Sequence, residues 1–477
     1  MKGRLFVYNT LSRSMEEFKA SDNNKVNMFV CGSTVYDDAH LGHAKTYIDF
    51  DAIARWLRHL GYALTYVQNI TDVDDKIIAR ARESGEDPFE LARRYEQRLL
   101  EDLEVIRARD SVDKFPRSHD YMESIEMQIQ LLAEKGYAYV ANGNVYYDVD
   151  RFKDYARLSG MKIEELKRHR IEADEEKRHT YDFALWKAAK AGEPSWTINL
   201  VYNGKREKLS GRPGWHIEDT AITYALFGKQ YDIHGGAIEL LFPHHSNEIA
   251  QAEAAFGVRP YVRYWLHSGV LNIRGEKMSK SLNNFITVRE ALKKHSAEAI
   301  RLMVLSTHYR KEIEYSEGLM HEAEKKLAYL YSSLGVFYNA RESGAKKNDV
   351  HEAADAFEKE FCDAMNRDFD TPLAIGRLVA FVARLRKIAE EGDVDQEGKR
   401  YAVEKVLGLA KVIGMLGEDT YKRKVPDDAL RLISEREAFR NAGNFRDADR
   451  IRLALSERYG IAVEDADYGT VWYYKSA

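Results

Sequence analysis

The sequence predicts an α/β fold built on a parallel sheet, followed by an α-helical bundle and a small C-terminal α+β domain. Three observations carry that prediction. Residues 27–70 read as a strand, a helix and a returning strand. A glycine- and aromatic-rich α/β texture resumes from Tyr231 to about Leu305. After about Glu317 helical periodicity runs on almost without strand signals.

Taken in order, Asn27–Cys31 is a short apolar run ending at Gly32, and residues 41–60 set Tyr47, Phe50, Ala54 and Leu57 on one helical face. Gly61 stands where a left-handed C-cap belongs, and Ala63–Ile70 alternates as a strand does. A βαβ unit of this length implies parallel pairing through a right-handed crossover. Ligands of such sheets bind beyond the carboxyl ends of the strands, here near Cys31–His43 and Asn69–Asp75. Residues 87–108 predict a long helix with Asp87 as N-cap and Pro88 in the first turn. Residues 137–149 predict a hairpin turning at Asn142–Gly143. The tract 165–180 is dense in charge of both signs and reads as a solvated helix or loop. Ala323–Ala340 and Ala374–Ile388 carry helical spacing, a boundary falls at about 425, a charged helical pair follows, and Val471–Tyr474 is a last strand.

The chain has 477 residues, enough for three or four domains. With 72 Lys plus Arg against 77 Asp plus Glu, the net charge of −5 excludes a wholesale basic coat but leaves room for a local basic groove. Two cysteines, Cys31 and Cys362, exclude a disulfide framework and point to a reducing compartment. No signal peptide and no membrane-spanning run is visible, so the expectation is a cytoplasmic protein with no membrane partner.

Two segments carry chemistry. Cys31-Gly32-Ser33-Thr34-Val35-Tyr36-Asp37-Asp38-Ala39-His40-Leu41-Gly42-His43 leaves a strand and enters a helix, where backbone N–H groups favour anions. His40 and His43 are expected on one helical face, able to donate to the same phosphate, and Gly42 lets a flat ligand approach the backbone. Alone, that pattern is better read as a capped helix with two surface histidines. The second segment is Lys277-Met278-Ser279-Lys280-Ser281; its bland reading is a lysine-bearing surface loop. Two lysines on a mobile loop suit phosphoryl chemistry, where charge grows on a leaving pyrophosphate.

Together these segments resemble the HIGH and KMSKS signatures of class I aminoacyl-tRNA synthetases. Asn69-Ile-Thr-Asp-Val-Asp-Asp75, Gly211-Arg-Pro-Gly-Trp-His-Ile-Glu218, Asp232-Ile-His-Gly-Gly236, the run Phe242–Gln251 and Asp368-Phe-Asp-Thr-Pro372 resemble the cysteinyl-tRNA synthetases in particular. The resemblance implies a Rossmann-like catalytic domain with an inserted α+β segment. Its divisions would be 1–115 (first catalytic half), 116–205 (inserted connective segment), 206–316 (second half with the KMSKS loop), 317–425 (helical bundle) and 426–477 (anticodon-binding domain).

The resemblance further implies ATP-dependent activation of L-cysteine to cysteinyl-AMP and transfer to the 3′ end of tRNA-Cys by a monomer. ATP would be bound by His40, Gly42, His43, Lys277, Ser279 and Lys280. His40, His43, Lys277 and Lys280 would be catalytic, stabilising phosphate charge that Mg²⁺ shares. One Zn²⁺ per chain would sit on Cys31, Asp219, His244 and Glu248, with Cys31, Thr71, Trp215 and His234 at the substrate cysteine. Position 219 is usually a second cysteine in this family. Three readings therefore stand open: Asp219 as a ligand, Asp219 outside the ligand set, and a metal-free paralogue. Core packing is the alternative role for Trp215, and a packed small hydrophobe the expectation for Cys362. The carboxylates of Asp72, Asp74 and Asp75 fit either Mg²⁺ or a helix N-terminus. Rival functions are a ligase joining cysteine to an amino sugar and a non-catalytic tRNA-binding paralogue; Val35 and the long C-terminal portion count against the first, the intact motifs against the second.

Overall fold

In the computed structural model, which describes residues 3–161, 176–273, 275–277, 285–340, 347–391, 394–417, 425–466 and 469–474, the chain opens with an antiparallel hairpin, β1 (Phe6–Asn9) and β2 (Ser14–Glu17). The expected βαβ unit follows as β3 (Lys25–Val30), α1 (Leu41–His59) and β4 (Ala63–Gln68), with β3 and β4 parallel. Gly61, at φ +82°, takes the left-handed turn after α1 that a Cβ would disfavour. Next come α2 (Asp75–Ser84) and α3 (Pro88–Val105). Asp87 caps α3 by accepting from the Phe89 and Glu90 amides. This helix stops three residues before its expected end, and Arg107 turns the chain at φ +56°.

The following segment contains α4 (Met122–Glu134) and an antiparallel five-stranded sheet ordered β5-β6-β7-β9-β8. Its strands are β5 (Ala138–Ala141), β6 (Asn144–Tyr147), β7 (Phe183–Ala188), β8 (Trp196–Tyr202) and β9 (Lys205–Pro213). The β5–β6 turn uses Asn142 and Gly143, both at positive φ, as the sequence predicts. Most of the charged tract 165–180 lies outside the described residues; its described end is held by ion pairs of Arg178 with Asp148 and His179 with Asp150.

The chain then returns through α5 (Trp215–Phe227), β10 (Tyr231–Ala237), α6 (His244–Phe256) and β11 (Val262–Ser268). The central sheet runs β11-β10-β3-β4 and every pair in it is parallel. All four carboxyl ends therefore open on one edge. Beyond it, β12 (Leu271–Ile273) pairs with β13 (Glu276–Lys277) and, in parallel, with β14 (Ile313–Tyr315).

Helix α1 is buried along nearly its whole length, so its charged residues need internal partners. Lys45 Nζ donates to Asp49 Oδ2 (2.9 Å), Ser268 Oγ (3.0 Å) and the Tyr309 carbonyl (3.0 Å). Asp51 meets the fully buried Arg301, which also donates to the carbonyls of Ile106 and Ile413. Through Arg301, in helix Ala297–Leu305, these bonds tie α1 to Ile413 at the end of helix Gln396–Val412, which bundles with helices Glu317–Tyr338, Lys347–Met365 and Thr371–Glu391. One apolar core runs unbroken from β3 and α1 into those helices. A smaller core joins helices Asp427–Asn441 and Phe445–Tyr459 to the hairpin β15 (Ile461–Ala466) and β16 (Gly469–Tyr474). Among the described residues no helix is long and apolar enough to cross a membrane.

Candidate metal and nucleotide site

A cluster of ligand-type side chains fills the carboxyl edge of the central sheet. Cys31 follows β3, and its amide bonds to the Gly235 carbonyl of β10, so the thiol stands where two strands end. Around Cys31 Sγ lie His245 Nε2 at 3.2 Å, His234 Nε2 at 3.3 Å, Asp219 Oδ2 at 3.4 Å and Glu248 Oε1 at 3.9 Å. His244 and Glu248, four apart on α6, share a helical face as expected; His244 Nε2 reaches Glu248 Oε1 (2.8 Å) and Asp219 Oδ2 (2.9 Å). All are buried.

Two overlapping four-residue sets have their ligand atoms within 4.8 Å of one another. One is Cys31, Asp219, His244 and Glu248; the other is Cys31, His234, His245 and Glu248. Either set offers one sulfur plus nitrogen and oxygen, a donor mixture that suits zinc. Glu248 Oε2 is buried and accepts no hydrogen bond, with His234 Nε2 3.3 Å away, so a cation there would satisfy it. The outer nitrogens of the imidazoles are also held. Tyr231 OH meets His234 Nδ1 (2.6 Å), His267 Nε2 meets His245 Nδ1 (2.8 Å), and His216 Nδ1 meets His244 Nδ1 (2.9 Å). Partners of this kind orient metal-binding histidines.

Protonation follows from burial and charge. Burial, reinforced by the carboxylates of Glu248 and Asp219, raises the Cys31 thiol well above its ordinary value. Burial drives His234 and His245 well below theirs, so both are neutral with a lone pair to give. Burial would depress His244 too, but Glu248 and Asp219 overcome it and lift this imidazole to about 10.

The first phosphate motif differs in one respect from its expected geometry. His40 is not on the helix with His43 but is its N-cap, accepting at Nδ1 from the amides of Gly42 (3.1 Å) and His43 (3.4 Å). His43 Nδ1 accepts in return from the His40 amide (3.3 Å), and the rings stack with centroids 3.8 Å apart. With both Nδ1 atoms accepting, each neutral ring carries its proton on Nε2. A Cβ at Gly42 would lie 2.8 Å from the His40 ring, so this glycine makes room for the cap. Of the second motif, Lys277 ends β13 and its side chain lies outside what is described, as do residues 278–284, including Ser279 and Lys280. The described chain resumes at Phe285, and Ile286–Val288 bonds directly to Ala39–Leu41, so the segment after the second motif borders the head of α1.

The remaining expected residues fall as follows. Thr71 is buried beside the cluster, receiving a bond from Asn69 Nδ2 at 3.3 Å. Trp215 is not core: it is 37% exposed and stacks on His244 with centroids 4.2 Å apart. His234 lies inside the cluster itself rather than at its rim, sandwiched against Trp265. The acidic trio serves the fold. Asp74 caps α2, Asp75 pairs with Lys187 and Arg212, and Asp72 holds His119. Cys362 packs against the main core. Sequence reasoning missed His216, His245, His267 and Asn69; the doublet His244-His245 was the available signal for one of them.

Comparison with known proteins gives concordant results. A family described as tRNA synthetases class I (C) catalytic domain matches residues 17–325. A cysteine–tRNA ligase of Thermococcus onnurineus is 43% identical, with 98% of each chain covered. That of Pseudomonas syringae pv. tomato is 42% identical over 98% of this chain and 99% of its own. Among solved structures, a Mycobacterium tuberculosis methionyl-tRNA synthetase with methionyl-adenylate aligns at TM-score 0.58 and 15% identity, covering 82% of this chain and 89% of that one. A putative arginyl-tRNA synthetase from Campylobacter jejuni aligns at TM-score 0.56 and 12% identity, covering 84% and 95%. At those identities the structures speak for a shared fold alone.

Proposed function

The chain belongs to the cysteine–tRNA ligase family of class I aminoacyl-tRNA synthetases, and from that premise we propose that it activates L-cysteine with ATP and transfers it from cysteinyl-AMP to the 3′ end of tRNA-Cys. The observation that carries the reading is the buried Cys31 cluster at the sheet's carboxyl edge, on the same edge as the head of α1. The α-phosphate of ATP is placed at the α1 N-terminus, where the Nε2 protons of His40 and His43 donate to oxygens that gain charge as pyrophosphate leaves. Lys277 and Lys280 are assigned to the pyrophosphate, with Gly42 and Ser279 lining the nucleotide and Mg²⁺ accompanying it. The attacking group is the substrate's own carboxylate, so no protein nucleophile is required.

Zn²⁺ is assigned to Cys31, Asp219, His244 and Glu248. A zinc ion there would supply a soft Lewis acid that prefers the sulfur of cysteine to the hydroxyl of serine. Trp215, Thr71 and His234 surround that seat and shape the pocket for the small side chain. A second seat on Cys31, His234, His245 and Glu248 is favoured by the neutral state of its two imidazoles. Residues 426–477 are assigned to anticodon contact, within the division into segments set out above, and a cytoplasmic monomer belongs to the same reading.

The test is ATP–pyrophosphate exchange with cysteine and with serine, alongside zinc analysis. Cysteine-dependent exchange by a protein holding about one zinc per chain is expected. No exchange with either amino acid refutes the activity, and equal use of both refutes the metal's role as a sulfur filter. Lys280→Ala should depress adenylate formation while sparing cysteine binding; near-normal exchange would remove that lysine from the chemistry.

A further inference from the structure

We infer that Asn69 is a positioning residue for the metal seat, holding one oxygen of Asp219 so that the carboxylate presents the other as a single donor. The inference rests on the proposed seat of Cys31, Asp219, His244 and Glu248.

Asn69 follows β4 and is 1% exposed. Its Nδ2 donates to Asp219 Oδ1 at 2.6 Å and to Thr71 Oγ1 at 3.3 Å, while its Oδ1 accepts from the Gly32 amide at 2.6 Å. The amide can stand only this way round. Reversed, it would set oxygen against a carboxylate oxygen and NH₂ against a backbone N–H. Asp219 is thus divided: Oδ1 is taken by Asn69, and Oδ2 faces Cys31 Sγ (3.4 Å) and His244 Nε2 (2.9 Å).

The division answers the one departure of this chain from its family's expected ligands. A cysteine offers a metal one atom, whereas a carboxylate offers two and can bind through either or both. Fixing Oδ1 keeps the aspartate monodentate and leaves a coordination position for the substrate's sulfur. Asn69 also ties the seat together across the sheet, because Gly32 adjoins the ligand Cys31. A Cβ on Gly32 would fall 1.6 Å from the Asn69 carbonyl oxygen, so β3 and β4 meet here at glycine distance. One side chain thereby sets the spacing of a thiol on one element and a carboxylate on another.

Zinc dissociation constants, measured by chelator competition on the full chain, test this in a double-mutant cycle of Asn69→Ala and Asp219→Cys. Asn69→Ala is expected to weaken zinc about 10–100-fold in the native background, the usual scale for a partner of a ligand. In the Asp219→Cys background the same change should cost about tenfold less, because a thiolate has no second oxygen to hold and only the bond to the Gly32 amide is lost. Cobalt-loaded Asp219→Cys should show added thiolate-to-metal charge-transfer absorption. Equal losses in both backgrounds, no loss in the native one, or an unchanged cobalt spectrum would overturn the inference, the last by placing the ion on His234 and His245. A native chain that binds no zinc and gives no cysteine-dependent exchange would overturn the functional reading as well.

Discussion

Zinc binding to this cluster should be steeply proton-linked. Without metal, Cys31 keeps its thiol proton at neutral pH, because burial and the nearby Glu248 and Asp219 carboxylates hold its pKa well above the ordinary thiol range. His244 keeps a proton between the same two carboxylates, which raise it to about 10 against the opposing effect of burial. Both groups must surrender those protons to ligate, whereas an ordinary imidazole, titrating near ~6.5, would be mostly deprotonated already at pH 7. Two protons released per ion correspond to an affinity that rises about 100-fold per pH unit between roughly pH 6 and 8. Glu248, lifted by burial to about 8, holds a further proton over most of that range and steepens the dependence again. The sign follows from the raised values: protons held by the metal-free protein compete with zinc, so binding weakens as pH falls. Chelator competition at half-unit intervals gives the slope, and calorimetry in two buffers of different ionisation enthalpy counts the protons directly. His244→Asn should lower the slope by about one. A native slope below one would show that the thiol and His244 do not both lose protons to the metal, and the assigned seat would fail.

Three further outcomes are expected. Gly32→Ala places a Cβ 1.6 Å from the Asn69 carbonyl oxygen, so the backbone beside Cys31 must move; zinc affinity and cysteine exchange should both fall by about 100-fold or more, measured on protein whose circular dichroism is native. His40→Asn retains an N-cap acceptor for α1 but removes the Nε2 donor; thermal stability should stay within about 1 kcal/mol while pyrophosphate exchange drops about 10²–10³-fold. Arg301→Met removes a fully buried guanidinium that serves Asp51 and the carbonyls of Ile106 and Ile413. Arg55 still pairs with Asp51, so the cost in chemical denaturation should lie near ~3 kcal/mol, the lower end for a broken buried pair, and a loss under 1 kcal/mol would refute the role given to it.

Local features of the sequence were readable because they depend on neighbours in the chain. The βαβ unit from β3 to β4 followed from periodicity and from Gly61, and the β5–β6 turn from Asn142-Gly143. Strands β8 and β9 carry the same signal at Asn203-Gly204, which the sequence reading passed over, whereas β7 was not legible, since it pairs with β6 and β9 across intervals that no local pattern reports. His40 was mistaken for a residue of the helical face because spacing alone does not separate an N-cap from the first turn. What decided the difference was that its ring accepts the amides it would otherwise project away from.

The site shows the same division more sharply. His244 and Glu248 could be paired on paper, being four apart on one helix. His234 and His267 could not be placed around His245, because they come from β10 and β11 and meet it only through the parallel register that sets Gly236 opposite His267. Asp219 looked like a loss, an oxygen where the family expects sulfur. Its environment argues otherwise. A carboxylate buried to 2% exposure is costly unless each oxygen is satisfied. Here Asn69 satisfies one and His244 the other, so removing the metal leaves the aspartate paired rather than stranded. A thiolate at 219 would need no such escort. The amide of Asn69 therefore belongs with Asp219 as a single adaptation, and replacing it should cost far less once position 219 holds a thiolate.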